Sequence, residues 1–354
     1  MTQSSPARPW LAPLVPIYRL GLALHEFQLR SGLKPVRRLR WPVVSIGNLS
    51  TGGSGKTPLT IALAKALAAR GLHVDVLSRG YGRRSALPLP VNLGGTAEDF
   101  GDEPLLIARQ TGVPVYVAAE RYQAGLLAER SALSGLGLHL LDDGFQHRQL
   151  ARDIDILLLN HADLTDHLLP AGNLREALRA AERASVIAIP ADEPDVEEEI
   201  KLQDWFRDWQ GTVWRLRRRM EIPPLDDAIG DPAGGHVIAF CGIARPAQFF
   251  EGLESAGMRL AARIAFPDHH RYIARDLNRL EAEARKTGAM ALLTTEKDRV
   301  RLGALAATLP QSLPLRMVRL HIEIENEDAA IDWLIGRVRS VIEKPAGGCP
   351  GSRF

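Results

Sequence analysis

Val43-Val44-Ser45-Ile46-Gly47, then Asn48-Leu49-Ser50-Thr51-Gly52-Gly53-Ser54-Gly55-Lys56-Thr57-Pro58, then the amphipathic run from Leu59 to Arg70 decide the fold. The first five residues read as a short buried strand and the glycine-rich stretch as a loop. The last run reads as a helix stopped by Gly71. Strand, glycine loop, Lys-Thr and helix form the context that a P-loop requires. The glycines let backbone N–H groups converge on phosphate oxygens at the positive end of the helix dipole. Ser50, Thr51, Gly52, Gly53, Ser54, Gly55, Lys56 and Thr57 are therefore the candidate nucleotide-binding residues. Lys56 reaches for the β- and γ-phosphates, and Thr57 offers its hydroxyl to Mg²⁺. One position departs from G-x-x-x-x-G-K-[ST]: Ser50 stands where the pattern has its first glycine.

Outward from the loop, Leu136 to Leu141 is apolar apart from Gly137 and His139, and it runs into Asp142-Asp143-Gly144-Phe145-Gln146-His147. Paired acids at the C-terminal end of a strand lie where doubly wound sheets bind ligands. One can serve a metal while its neighbour points elsewhere, because successive strand residues alternate sides. The plainer reading is a polar Asp-Asp-Gly turn; beside a P-loop, metal chemistry is preferred. Further strands at 73–78, 113–117, 154–160 and 185–189 alternate with helical stretches, which predicts a mainly parallel sheet covered on both faces. The segment 190–201, rich in Pro, Asp and Glu, breaks the apolar pattern. Strands at 213–219, 236–241, 259–266, 290–294 and 314–324, with helices at 246–256, 274–287 and 327–342, predict a smaller α/β domain. The expected division is 1–40 (N-terminal helix and basic segment), 41–212 (P-loop domain) and 213–354 (smaller α/β domain).

The chain's 354 residues suit about two domains. A composition of 45% hydrophobic and 24% charged residues excludes wholesale disorder. The net charge of +2 predicts no strongly electrostatic partner, and no nucleic acid. That total conceals a split. Residues 1–40 carry seven basic residues (Arg8, Arg19, Arg30, Lys34, Arg37, Arg38, Arg40) against one acid, Glu26, a local +6; the remainder carries −4. Cys241 and Cys349 lie far apart and lack metal-ligand spacing, which points to a reducing compartment rather than a disulfide framework. No apolar run reaches the length of a membrane span, and the N-terminus lacks a secretory signal pattern. Pro16 opens a helix to about Arg30 on which Arg19, Glu26 and Arg30 share one narrow sector, with apolar side chains over most of the rest. Such a helix needs a nonaqueous surface. The cluster Lys34, Arg37, Arg38, Arg40 suits anionic lipid headgroups at ~1 kcal/mol per charge. Packing on the protein's own core is the competing reading.

A P-loop leaves open where the γ-phosphoryl group goes. A membrane-recruited ATPase switch of the partitioning type has Lys where this chain has Thr51; a GTPase needs Asn-Lys-x-Asp where this chain has Asn160-His161-Ala162-Asp163. A kinase acting on an alcohol needs a base near the acceptor hydroxyl and cations around the transferred group. Gly101-Asp102-Glu103-Pro104 offers two adjacent acids at a helix start, with simple capping as the alternative. Phe266-Pro267-Asp268-His269-His270 places two imidazoles in a loop. Arg121 and Arg175 are ambiguous by themselves, since an isolated arginine is generally a surface ion pair.

Ile46-Gly47-Asn48-Leu49, Ser78-Arg79-Gly80-Tyr81-Gly82-Arg83, Gly101-Asp102-Glu103-Pro104 and Leu141-Asp142-Asp143-Gly144-Phe145-Gln146-His147 together resemble the tetraacyldisaccharide 4′-kinases of lipid A biosynthesis. So do Leu169-Pro170-Ala171-Gly172-Asn173-Leu174-Arg175-Glu176, Phe266-Pro267-Asp268-His269 and Thr294-Thr295-Glu296-Lys297-Asp298, in family order to about residue 300. The family's loop is relaxed at the position of Ser50. The resemblance implies ATP- and Mg²⁺-dependent transfer of the γ-phosphoryl group to the 4′-hydroxyl of a lipid-borne glucosamine disaccharide 1-phosphate. It implies Asp102 as general base paired with His269, and Thr57, Glu103 and Asp142 as metal-side residues. Asp143, Arg121 and Arg175 are implied as further active-site groups. It places the N-terminal helix at the cytoplasmic face of the bacterial inner membrane; anionic lipids are the partner expected from the basic cluster, and the sequence points to no obligate protein partner. Glu120 beside Arg121 departs from the family's commoner Asp, which puts the local geometry there in question.

Overall fold

The computed structural model describes residues 8–53, 55–132, 137–223 and 237–343. The nucleotide-site candidate Ser54 and the cysteine Cys349 lie outside them. Twelve strands follow in chain order among the described residues: β1 (Val43–Asn48), β2 (Val74–Ser78), β3 (Leu89–Pro90), β4 (Val115–Val117), β5 (Leu138–Asp142), β6 (Ile154–Leu158), β7 (Val186–Pro190), β8 (Thr212–Glu221), β9 (Val237–Cys241), β10 (Leu260–Ala265), β11 (Ala291–Thr295) and β12 (Leu315–Ile324). The helices are α1 (Val15–Arg30), α2 (Lys56–Ala69), α3 (Ala97–Phe100), α4 (Asp102–Thr111), α5 (Arg121–Ser131), α6 (His161–Thr165), α7 (Pro194–Lys201), α8 (Pro246–Ser255), α9 (Ala274–Thr287), α10 (Glu296–Leu302) and α11 (Glu327–Glu343).

All twelve strands join one sheet in the order β10-β9-β11-β12-β8-β7-β6-β1-β5-β2-β4-β3. The pairs are parallel except β8 with β12 and β3 with β4. The mainly parallel α/β sheet expected from the sequence is present. Buried on both faces, β1, β5, β6 and β7 carry apolar runs rather than alternation. The halves of the chain meet where β12 runs antiparallel to β8, Ile322 opposite Arg218 and Leu320 opposite Met220. On one face, α2 lays Leu59, Leu63 and Leu67 on the sheet at helical spacing. The last helix packs back on it: Ile331, Leu334 and Val338 of α11 join the same apolar cluster, and Arg70 pairs with Asp328 at 2.5 Å.

Two elements differ from the sequence expectation. The break at 190–201 contains a helix, α7, whose Pro194 starts it and whose Val196 and Ile200 sit buried one turn apart. Only two of its eight residues are buried, so its acidic majority hides the periodicity. The short helix α10 begins at the Thr-Glu-Lys-Asp stretch, where the Thr295 side chain accepts the N–H of Asp298.

The N-terminal helix is two-faced. Val15, Tyr18 and Leu22 pack on an apolar cluster of the body, and Leu29 is buried. Ile17 (66% exposed), Leu20 (70%), Leu24 (55%) and Phe27 (60%) lie on the open side, with Trp10 exposed before them. Glu26 turns inward to Arg148 and also binds Arg30. Part of the basic cluster is engaged by the body: Arg38 pairs with Asp153 at 2.7 Å and Arg37 with Glu120 at 3.7 Å. Among the described residues no helix is long and apolar enough to cross a membrane.

A buried polar network ties β5 to β2. His139 Nδ1 lies 2.7 Å from Asp75 and Nε2 lies 3.4 Å from Glu129, with the ring stacked on Trp41. Burial works against the charged imidazole, but the two carboxylates push His139 up to about 9. Folded His139 thus holds its proton more tightly than the unfolded chain. The stabilisation is complete below the ordinary value of about 6.5 and is lost as pH rises through about 9. Urea unfolding is expected to show a loss on the order of 3 kcal/mol between pH 6 and pH 10. His139→Gln should be weaker at pH 6 and flatter across that range; parallel curves for parent and variant would sink the assignment.

Candidate active site

The phosphate loop leaves β1 and ends at Gly55, whose φ of +93° is left-handed, before α2 begins. Lys56 Nζ donates to Asn48 Oδ1 at 2.8 Å and lies 3.5 Å from Asp143 Oδ1. Asn48 Nδ2 donates to the Ser50 carbonyl at 2.8 Å, which braces the loop from beneath. Thr57 is buried in the first turn of α2. Gly47 is required by close packing: a Cβ there would stand 2.5 Å from Phe145 Cβ and 2.9 Å from its backbone nitrogen. The absence of that atom lets the Asp-Asp-Gly-Phe turn rest against the end of β1.

The two acids at the end of β5 do face different surroundings, though strand alternation is not the whole cause. Asp142 ends β5, whereas Asp143 has φ 49°, a left-handed conformation that Asp tolerates better than most residues. Asp142 is buried against hydroxyls, with Thr60 donating at 3.3 Å and Ser78 at 3.5 Å. Burial, and then Glu103 and Asp143, push its carboxyl up to about 7. For Asp143, burial is outweighed by Lys56 and Arg175, which hold its carboxyl below the usual range. Arg175 Nη1 donates to Asp143 at 3.2 Å and to Gln146 Oε1 at 3.2 Å. Arg121, at the start of α5, is buried. Its Nη1 donates to the Ala119 carbonyl at 3.0 Å, while its Nε has no hydrogen-bond partner among the described residues. Burial and then Arg79 push it down to about 10, against the pull of Asp143 and Asp142. These contacts join Lys56, Asp143 and Arg175 at the C-terminal edge of the sheet, and Asp142 and Arg121 lie near enough to act on that cluster through their charges.

The second half of the chain supplies the rest. Asp102, buried at the start of α4, accepts from Arg301 Nε at 2.6 Å and lies 3.3 Å from His269 Nδ1. Its other oxygen accepts the Glu103 N–H at 3.0 Å. Burial opposes the charge, but His269, Arg301 and Lys297 hold the Asp102 carboxyl far below the usual range. His269 adopts φ 56° and sits 5.0 Å from the Tyr81 ring; its hydrogen bond to Asp102 outweighs burial and raises its pKa. Gly101, at φ +92°, lets α4 start in contact with the Gly80 backbone, which a Cβ would meet at 3.0 Å. His270 turns away from this pair to Asp276 at 2.9 Å and stacks on Phe266. Glu103 is held by Lys297.

Sequence reasoning assigned no role to Arg301, Lys297 or Asp298. Arg301 touches Asp102, lies 3.2 Å from His269 Nδ1, and pairs with Asp298 at 3.2 Å. Asp298 in turn accepts from Tyr272 at 2.9 Å and from the Gly242 N–H at 3.0 Å. The Thr295 cap was the available signal. A helix starting there puts Lys297 and Arg301 four residues apart on one face, opposite the Asp102-Glu103 pair.

Among the described residues no three His, Cys, Asp or Glu side chains gather into a metal cage. Asp142 nevertheless fits a divalent cation, because it is buried with hydroxyl partners and makes no ion pair among the described residues. Thr57 lies one turn from its partner Thr60 on the same helix face. Mg²⁺ commonly takes one or two carboxylates and completes its shell with phosphate oxygens and water.

The family profile described as tetraacyldisaccharide-1-P 4′-kinase matches residues 7–339. The tetraacyldisaccharide 4′-kinase of Koribacter versatilis is 41% identical over 342 residues, covering 95% of this chain and 99% of its own length. That of Neisseria gonorrhoeae is 39% identical over 296 residues, covering 82% of each. The crystal structure of LpxK from Aquifex aeolicus in complex with ATP superposes with a TM-score of 0.68 at 31% identity, covering 94% of this chain and 99% of that one. With a phosphate loop, an acid pair and an Asp–Arg–His cluster centred on the buried Asp102 on one sheet edge, the chain belongs to the tetraacyldisaccharide-1-P 4′-kinase family.

Proposed function

We propose how this chain performs its family's reaction, phosphorylation of the 4′-hydroxyl of a tetraacyldisaccharide 1-phosphate with ATP as donor. The observation that carries the reading is the meeting of Asp102 with His269, 3.3 Å apart across 167 residues of sequence, on the sheet edge that holds the Lys56 loop. The loop N–H groups and Lys56 hold the β- and γ-phosphates. Arg121, with its open Nε, and Arg175 face the charge that builds on the transferred group. The 4′-oxygen attacks the γ-phosphorus, the bond to the β-phosphate bridging oxygen breaks, and ADP leaves with that electron pair. The hydroxyl proton passes to Asp102. Since Arg301 and His269 favour the ionised carboxylate, the proton does not rest there. His269, partly exposed, orients Asp102 and carries the proton on to water. Asp142 and Thr57, with Glu103 nearby, would hold Mg²⁺, which would supply positive charge to the phosphate oxygens.

The outer face of α1 is the lipid-facing surface in this reading. Its exposed Ile17, Leu20, Leu24 and Phe27 enter the interface of an anionic membrane, and the basic residues after the helix meet the headgroups. In this reading the protein works at the cytoplasmic face of the inner membrane, and the exposed apolar side of α1 supports that reading. Residues 41–212 then supply the phosphate-holding side with Asp102, and the domain expected at 213–354 supplies His269.

Labelled ATP incubated with the lipid disaccharide 1-phosphate should give label on lipid; label released only to water would favour an ATPase switch. Lys56→Ala is expected to lower that transfer by ~10²-fold or more. Asp102→Asn should reduce kcat by roughly 10²–10⁴-fold with little change in ATP affinity. Activity equal to the parent's would remove the base assignment. For His269→Ala a partial loss is expected, whereas His270→Ala should be near parental; the reverse order would transfer the role to His270. Replacing Ile17, Leu20 and Phe27 together by Ser should reduce sedimentation with anionic vesicles, and undiminished sedimentation would show that another surface anchors the protein.

A further inference from the structure

The inner face of the N-terminal segment ends on the loops that build the phosphate site. Arg8 donates its backbone N–H to the Ala171 carbonyl at 2.5 Å, and its guanidinium to the Gly172 carbonyl at 3.2 Å and Asn173 Oδ1 at 3.0 Å. The Asn173 carbonyl accepts the N–H of Thr51, in the phosphate loop itself, at 2.9 Å. Ser50 forms a bridge to Leu174 in the same turn. Ten residues after Arg8, the Tyr18 hydroxyl donates to the Arg175 carbonyl at 2.9 Å. The Arg175 N–H donates to the Leu49 carbonyl at 2.7 Å, and its guanidinium holds Asp143. Gln146, bound to Arg175, donates to the Asn48 carbonyl at 2.9 Å. Two unbroken chains of contact therefore run from the N-terminal segment to the phosphate loop, one through Asn173 and one through Arg175. Both use directed hydrogen bonds to main-chain carbonyls, which fix the position of a turn more closely than apolar contact does.

We infer that Arg8 and Tyr18 are positioning residues of the phosphate site: they hold the 171–175 turn against the loop, so that nucleotide handling depends on the N-terminal segment apart from any lipid contact. The inference rests on the reading of Ser50–Thr57 as the nucleotide site. A segment with only a lipid-facing role would govern lipid affinity and leave ATP affinity alone.

The test uses the full chain in nonionic detergent without vesicles. Calorimetry measures the Kd of a non-hydrolysable ATP analogue with Mg²⁺ for the parent, Tyr18→Phe and Arg8→Gln. Steady-state assays then give KM for ATP, KM for the lipid disaccharide 1-phosphate, and kcat. Tyr18→Phe keeps the ring and removes one hydroxyl. Each variant is expected to raise the analogue Kd and the ATP KM about three- to tenfold, the range for loss of a hydrogen bond. The lipid KM and the unfolding midpoint should stay parental. Unchanged nucleotide affinity in both variants overturns the inference. So does an equal rise in both KM values with a lowered unfolding midpoint, because that pattern marks general packing. Lys56→Ala serves as the reference. If it too binds the analogue like the parent, the nucleotide-site reading fails first and the inference falls with it.

Discussion

An ionised carboxylate buried at the start of a helix is the constraint around which this molecule is arranged. Asp102 is almost fully removed from water, and a carboxylate so placed must be paired and hydrogen-bonded or it neutralises. Its own half of the chain offers it the Glu103 N–H. Arg301 and His269 come from the second half, and Asp298 and Tyr272 fix the guanidinium behind them. The second half is therefore more than an appended layer. It keeps the charge on Asp102, and the continuous sheet through β8 and β12 sets the register at which that pairing is possible.

The same economy of charge runs through the site. Lys56 and Arg175 serve Asp143, Lys297 serves Glu103, and Arg301 serves Asp102. Asp142 is left with hydroxyl partners, and burial, with Glu103 and Asp143 nearby, pushes its carboxyl up to about 7. On the cationic side, Arg121 is buried with an open Nε. A buried donor with no acceptor among the described residues and a buried carboxylate held only by hydroxyls are both costly arrangements in a low-dielectric site. The plain capping reading of Gly-Asp-Glu-Pro holds as well: Asp102 Oδ1 accepts a main-chain N–H at its helix start while Oδ2 takes part in the cluster.

What the sequence made legible is what depends on neighbours in sequence. The strand–loop–helix at 43–70, the strand ends and the helix over 274–287 follow from periodicity, glycine stops and prolines at first turns. The helix at 194–201 was hidden because two buried residues carry it among acids that face water. Arg301 was hidden because nothing local marks an arginine that will neutralise a carboxylate 199 residues away. The meeting of His269 with Asp102 followed only from resemblance to a family, since no spacing rule joins a loop at 266–270 to a helix start at 101–104. The choice between His269 and His270 needed the backbone. A left-handed turn at His269 sends that ring toward Asp102, while His270 binds Asp276 near the start of α9.

The lopsided charge of the first forty residues acquires a structural meaning from the two faces of α1. Sixteen helical residues extend about 24 Å, short of a bilayer's hydrocarbon core of roughly 30 Å, so α1 is too short to cross one. The inner stripe is not simply apolar. Tyr18 and Glu26 bond to Arg175 and Arg148, both in loops of the phosphate site, and Arg8 grips the turn between them. The outer stripe is apolar and free of such bonds. A helix built this way is held to the body by directional contacts and offers its non-directional face outward. Any surface that takes the outer face acts on a rigid element whose other side is bonded to the loops beside Lys56, so the proposed lipid contact and the phosphate site share one structural part.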